Sequence, residues 1–140
     1  MTQVLILHHS RTGITAAYAE TIAATLSEQG VATRVLPLYQ ASKISIDDYD
    51  TLFIGCWTSG LMVLGQHPEK SWVSGIQQLP ALAGKQIILF TTYKILTGSM
   101  FRKMKQHLPA DASVNSIVFK SRNGQLNSSD RAVLKQLIGH

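Results

Sequence analysis

The sequence lacks the features that mark several common protein classes. Its 140 residues include one cysteine, Cys56, so the chain cannot form an internal disulfide, and no Cys/His set has zinc-finger spacing. No apolar run approaches the roughly 20 residues that cross a bilayer. No basic start followed by a long apolar stretch suggests a secretion signal. We therefore expect a soluble, cytoplasmic protein without a membrane span.

Charged residues are also scarce, and acidic residues most of all. They make up 15% of the chain, and 8 acidic against 13 basic residues give a formal net charge of +5. That balance suits an anionic ligand or an acidic partner. Hydrophobic residues reach 45%, which argues against a disordered tail or a coiled coil. The length fits one domain spanning residues 1–140, and we find no internal repeat or low-complexity tract.

Apolar runs alternate with helical patterns along the chain. The run 4–7 is typical of a buried parallel strand, and the next segment has an apolar stripe at helical spacing, closed by Gly30. That stripe is Ile14, Tyr18, Ile22 and Leu26. Further strands are predicted at 31–38, 52–56, 86–92 and 114–119, with at most a short helix in 39–49. Helices are predicted at 99–108 and after Ser128 or Ser129, either of which can cap the last helix.

This alternation predicts an α/β fold, an open parallel sheet of five strands with helices on both faces. Ligands in such sheets bind at the carboxyl ends of the strands, where the strand order reverses. Three loops reach that position, namely residues 8–15, 55–68 and 91–99. They are the candidate functional segments.

The first of these loops has the composition of a phosphate site. It reads Ser10, Arg11, Thr12, Gly13, Ile14 and Thr15. Hydroxyl groups and backbone N–H groups converge there at a helix start, where the helix dipole is positive. A simpler interpretation, a helix capped by Ser or Thr after a tight turn, explains the same residues.

In its strand-to-helix context this loop resembles the phosphate loop of the flavodoxin family, Thr/Ser-x-Thr-Gly-x-Thr. The resemblance continues at Tyr49-Asp50 before the third strand and at Gly84-Lys85 before the fourth. The segment 55–60 stands where the family has its Gly-x-Pro-Thr-aromatic-Gly flavin loop, with Trp57 at the usual Pro position and Ser59 at the usual aromatic one. The likeness covers nearly the whole chain, and the missing insertion in the last strand makes it similar to short-chain members. It implies a flavodoxin-like three-layer sandwich with strand order 2-1-3-4-5.

The resemblance also implies an FMN site. Residues 10–15 would hold its phosphate, and the second and third loops would line the flavin. The lining residues would be Trp57, Thr58, Ser59, Gly60, Thr92, Tyr93 and Gly98. Trp57 and Tyr93 each follow an apolar strand, so either can contact the flavin or cap the core.

Other candidate residues receive plainer interpretations. His8 and His9 are adjacent in a strand and point to opposite faces, so they cannot readily chelate one metal, and no metal site is predicted. Cys56 fits a small buried hydrophobe better than a redox thiol. Trp72 is expected to pack in the core. Walker A, Gly-x-Gly-x-x-Gly and receiver-domain patterns are absent from the sequence.

The main functional hypothesis is an FMN-binding protein that passes electrons between a reductase and an acceptor, with no catalytic side chain of its own. The alternative is an FMN-dependent oxidoreductase acting on a quinone, tetrapyrrole or other flat substrate, motivated by the apolar residues 61–64. A flavin-free interaction module is a third reading. Basic residues are spread out, with concentrations at the fourth helix and at 120–122, namely Lys94, Arg102, Lys103, Lys105, Lys120 and Arg122. Without interleaved aromatic residues they indicate a solvated face more than nucleic-acid binding, and such a face can dock an acidic redox partner protein.

Overall fold

A computed structural model describes residues 3–9, 13–57, 70–79, 82–93, 99–110 and 112–138. The strands are β1 (Gln3–His9), β2 (Ala32–Pro37), β3 (Thr51–Trp57), β4 (Gln86–Thr92), β5 (Ser113–Val114) and β6 (Phe119–Ser121). The helices are α1 (Ile14–Ser27), a 3₁₀ helix (Leu38–Lys43), α2 (Lys70–Gln77), α3 (Met100–Gln106) and α4 (Ser128–Ile138). Within these ranges no helix is long and apolar enough to cross a membrane.

The strands form a parallel sheet in the order β2-β1-β3-β4-β5, which confirms the predicted order, and β6 also pairs with β4. The three central strands are continuous apolar runs, as expected for strands covered on both faces. Residue Ile6 lies opposite Val35 of β2 and Phe53 of β3 in this register. The strand order therefore reverses between β1 and β3.

Side chains alternate across the sheet into two separate cores. Leu5 and Leu7 pack with Trp72, Met100 and Met104 of α2 and α3 on one face. On the other face, Val4, Ile6, Phe53 and Phe90 pack with α1 and α4. From these helices they meet Tyr18, Ala19, Ile22, Leu26 and Leu134. Cys56 and Trp72 are fully buried in the first core, as the sequence predicted.

The predicted fifth strand, 114–119, is wrong as one continuous element. The structure has two short strands, β5 and β6, that pair with the two ends of β4. Between them the side-chain Oδ1 of Asn115 accepts a hydrogen bond from the N–H of Ile117 at 2.8 Å. The N–H of Ile117 therefore bonds a side chain and does not pair with a neighbouring strand. Asn side chains often compete with regular secondary structure in this way.

Two details of the helices also differ from the prediction. Ile14 is 39% exposed, and the buried side of α1 contains Thr15 in addition to Tyr18, Ile22 and Leu26. The last helix is capped by neither Ser128 nor Ser129, because Asn127 Oδ1 accepts the N–H of Asp130 at 2.7 Å. Asn127 is thus the N-cap, with its side chain bonding the third residue of the helix.

Candidate functional site

The candidate site lies at the carboxyl end of the sheet, where β1, β3, β4 and β6 end. Trp57 is the last residue of β3 and lies opposite Thr92, the last residue of β4. His8 and His9 end β1 opposite Gly55 and Cys56 of β3. The site therefore sits where the strand order reverses, as predicted for this fold.

Helix α1 begins at this end of the sheet. Its N-cap is Gly13, whose φ of 91° is left-handed and whose position carries no side-chain cap. A Cβ built at Gly13 meets no atom of the described residues within 4 Å, so these residues leave the backbone there open to close approach. The first-turn N–H groups and the positive end of the helix dipole face the same space.

A buried hydrogen bond joins the start of α1 to the end of β4. The hydroxyl oxygens of Thr15 and Thr92 are 2.6 Å apart, and both side chains are buried. The first and third candidate loops thus meet through two of the predicted site residues. Since either hydroxyl can donate, the pair fixes α1 against β4 and leaves a lone pair available for a further donor.

The two predicted aromatic residues occupy different surroundings. Trp57 is half-buried and packs against the core under α2 and α3. Tyr93 is half-buried, and its ring lies 5.9 Å from Lys120 Nζ and 5.5 Å from Arg122 Cζ, measured to the ring centroid. Both distances fall in the range of cation–π interactions. The aromatic ring at the end of β4 is therefore a cation contact.

A turn after β6 lies against the first half of α1, and it was not predicted from the sequence. The hydroxyl of Ser121 accepts hydrogen bonds from the N–H groups of Gly124 at 3.0 Å and Gln125 at 3.1 Å. The turn lies against α1, where Thr21 Oγ1 donates to the Gly124 carbonyl at 2.9 Å. The Asn123-Gly124 pair, a strong turn signal, could have revealed it.

Three ionisable groups near the site have shifted pKa values. Burial lowers the pKa of His8 from its usual value, with Glu20 acting in the opposite sense and His9 in the same sense. Burial raises the pKa of Tyr18, helped by Asp130 and Tyr93. Burial also raises the pKa of Asp130, while Lys120 lowers it. The Tyr18 hydroxyl and His8 Nδ1 are buried and have no hydrogen-bond partner among the described residues.

Six of the thirteen predicted site residues are described: Gly13, Ile14, Thr15, Trp57, Thr92 and Tyr93. They all lie at the carboxyl end of the sheet, and the structure brings Thr15 and Thr92 into contact. The others lie outside the described residues, namely Ser10, Arg11, Thr12, Thr58, Ser59, Gly60 and Gly98. Their assignment to a site stays a prediction.

Comparison with known proteins agrees with this geometry. The model of the flavodoxin domain matches residues 5–119. The solution structure of two-electron reduced flavodoxin from Megasphaera elsdenii has 26% identity and a TM-score of 0.72, with 94% of each chain covered. Oxidised flavodoxin 2 from Bacillus cereus has 17% identity and the same TM-score of 0.72, covering 97% of this chain and 94% of that chain. Among curated proteins, none matches the chain.

The fold also occurs as part of a larger protein. Rubredoxin oxygen:oxidoreductase from Desulfovibrio gigas has 15% identity and a TM-score of 0.70, with 98% of this chain covering 34% of that one. Strand order, helices on both faces and a site at the strand reversal define an open α/β protein of the doubly wound class. Within that class, the chain belongs to the flavodoxin family. Membership supports the general class of electron-transfer flavoprotein.

Proposed function

We propose that the chain binds FMN and passes electrons between a reductase and an acceptor. The observation that carries the proposal is the meeting of the first and third loops through Thr15 and Thr92, beside the start of α1 at the left-handed Gly13. An anion at that helix start would be held by backbone N–H groups and by the helix dipole. FMN supplies an isoalloxazine that reversibly accepts electrons when bound.

The described residues fit such a group. At the left-handed Gly13, no atom of the described residues lies within 4 Å of a Cβ position, which supports close approach of a phosphate to the backbone there. We assign residues 10–15 to the phosphate and Trp57 to Gly60 to one side of the flavin, with Thr92, Tyr93 and Gly98 on the other. The chain's own contribution is to bind and orient the ring and to set the charge around it, so no residue acts as an acid or base.

The first test is an absorbance spectrum of the purified protein, followed by fluorescence titration of the apo form with FMN and riboflavin. These two ligands share the ring and differ in the phosphate. We expect FMN to bind at least about tenfold more tightly, which corresponds to roughly 1.4 kcal/mol. Equal affinity would contradict the phosphate assignment, and no binding of either would overturn the proposal in favour of a flavin-free interaction module.

A matched pair of glycine variants sharpens this test. Gly13 and Gly30 lie beyond opposite ends of α1, with φ of 91° and 79°, and a Cβ at either meets no atom within 4 Å. Alanine at either position adds similar left-handed strain, about 1–2 kcal/mol. Only Gly13→Ala is expected to weaken FMN binding, while riboflavin binding should stay unchanged in both variants. Equal loss of FMN affinity in both would indicate a general effect of helix strain.

The oxidoreductase alternative was motivated by the apolar residues 61–64. These lie outside the described residues, so no structural observation favours that alternative over the carrier.

A further inference from the structure

Positive charge is concentrated in the second half of the chain. Residues 1–69 contain three Lys or Arg and six Asp or Glu, whereas residues 70–140 contain ten and two. The sheet order turns this into a spatial separation, because β2, β1 and β3 come from the first part and β4, β5 and β6 from the second. Strands β4, β5 and β6 therefore belong to the half of the chain with a net positive charge, and their side of the sheet is called the basic side below.

The basic side reaches the candidate site at Tyr93. Lys120 lies in β6, and Arg122 is the residue directly after this strand. Both side chains are exposed and contact the Tyr93 ring. The Tyr93 N–H donates to the Ser121 carbonyl at 3.2 Å, so the ends of β4 and β6 are held together. These three side chains, Tyr93, Lys120 and Arg122, are called the cation cluster below.

The half of the chain that carries the cation cluster has a net positive charge. Asp130 and Asp111 are the two acidic residues of 70–140, against ten basic ones. Asp130 of α4 lies near Lys120, since its pKa is raised by burial and lowered by Lys120. Exposed Arg102 and Lys105 of α3 add further positive charge to the same half of the chain.

We propose that the cation cluster is the docking surface for an acidic redox partner protein, whose carboxylates meet Lys120 and Arg122. The proposal rests on the proposed electron-transfer function and names the partner's chemistry. Tyr93 is itself assigned to the flavin side of the candidate site and follows Thr92, which bonds the start of α1, so a docked partner lies at the edge of the candidate cofactor site. Complementary charge raises the rate of encounter and fixes the orientation of such a complex.

The test compares two double variants with the same change in net charge. K120E/R122E reverses the cation cluster. R34E/K43E reverses two exposed cations at the opposite side of the sheet, on β2 and at the end of the 3₁₀ helix. Binding of fluorescein-labelled oligo-glutamate is measured by anisotropy at low and high ionic strength. We expect K120E/R122E to weaken binding by about tenfold or more at low ionic strength and R34E/K43E to weaken it far less.

Three outcomes overturn the proposal. Equal loss in both double variants would assign the effect to net charge, and absence of oligo-glutamate binding by the wild type at low ionic strength would remove the acidic partner. A labelled DNA duplex is titrated in parallel. Tighter binding of the duplex, lost in K120E/R122E, would assign the surface to nucleic acid instead.

The binding assay uses the protein with and without FMN, so its result is separate from the test of cofactor binding. FMN binding without any difference between the double variants contradicts the docking surface alone. Circular dichroism checks the fold, and K120Q/R122Q replaces K120E/R122E if charge reversal unfolds the chain. We expect this neutral variant to weaken oligo-glutamate binding less than the reversed one. In the FMN-loaded protein, oxidation by ferricyanide should slow in K120E/R122E relative to R34E/K43E, whereas oxidation by hexaamminecobalt should not.

Discussion

The two helical layers cover opposite faces of one sheet but are held by different interactions. The side chains that α2 and α3 bury are apolar, namely Trp72, Ile76, Met100 and Met104. The layer of α1 and α4 adds polar ties to its apolar core. Thr15 bonds Thr92, Thr21 bonds the carbonyl of Gly124, and Arg131 Nη1 bonds Thr25 Oγ1 at 3.2 Å.

The difference shows which layer positions the candidate site. Apolar contacts are non-directional, and the buried side chains of α2 and α3 contribute burial of this kind. Hydrogen bonds have narrow distances and angles, so the layer of α1 and α4 holds the helix start at a defined place over β4. Substitutions in the layer of α1 and α4 should therefore affect both the free energy of unfolding and the candidate site.

The largest expected effect on the free energy of unfolding comes from Gly55 of β3, which lies beneath the layer of α1 and α4. A Cβ on Gly55 would lie 2.3 Å from ring atoms of Phe90, which is fully buried and packs edge-to-face on Tyr18. We expect Gly55→Ala to lower the free energy of unfolding by about 3 kcal/mol, measured by urea denaturation.

Gly75→Ala is the matched change in the other layer. Its Cβ would lie 2.8 Å from Cδ2 and 2.9 Å from Cγ of Leu38, a flexible side chain that can rotate away more easily than the Phe90 ring. Alanine also gains about 1 kcal/mol of helix propensity over glycine. We therefore expect a small net effect. Equal losses at Gly55 and Gly75 would contradict the difference between the layers.

The next largest effect concerns the hydroxyl pair of Thr15 and Thr92. Removing either hydroxyl leaves the other buried without this partner, which should cost about 1–2 kcal/mol in Thr15→Val or Thr92→Val. A double-mutant cycle by urea denaturation should show coupling, because the double variant loses one interaction and not two. Thr51→Val, at the buried amino end of β3, serves as the control and should change stability by less than about 1 kcal/mol. Additive single effects would contradict a bond between the two hydroxyls.

A smaller, pH-dependent effect is expected at His8. Its folded-state pKa lies below the ordinary 6.5, so the unfolded chain takes up a proton before the folded chain does. The contribution of neutral His8 to the free energy of unfolding is complete above pH 6.5. It is lost as the pH falls from there through the folded-state pKa. Unfolding free energies at neutral and mildly acidic pH should therefore differ less in His8→Gln than in the wild type. The same loss of pH dependence in His107→Gln, at an exposed residue after α3, would argue against His8 as its source.

The smallest expected effect is at Tyr18. Its hydroxyl is buried without a hydrogen-bond partner among the described residues, so its removal leaves no new unsatisfied group. Tyr18→Phe should change the free energy of unfolding by no more than about 0.5 kcal/mol, or stabilise the fold slightly. A loss above about 1.5 kcal/mol in thermal or urea unfolding would reveal a partner for the hydroxyl.

The central fold could be predicted because it depends on long apolar runs. The sequence prediction for β4, residues 86–92, has the bounds of the observed strand. The break in the fifth strand could not be predicted from the sequence. Asn115 can either pair in a strand or form a turn with Ile117, and the choice depends on the residues that surround it in the fold. The cap of α4 posed a similar choice among Asn127, Ser128 and Ser129, which can all cap a helix.

The candidate site was predictable by position but not by contact. Gly13, Thr15 and Thr92 were expected at one end of the sheet from strand order alone. The bond between Thr15 and Thr92 joins residues 77 positions apart, which no local pattern encodes. The contacts of Lys120 and Arg122 with Tyr93 likewise depend on how β6 pairs with β4.

The broken outer strand has a consequence for behaviour at high concentration. A long, regular edge strand exposes unpaired N–H and C=O groups that can template aggregation with another chain. Here β5 has two residues and β6 three, and a turn separates them. On the opposite side, β2 ends at Pro37 and carries the exposed Arg34, both of which discourage strand addition. The chain should therefore resist edge-to-edge aggregation, even though its sheet is rich in β-branched and other apolar residues.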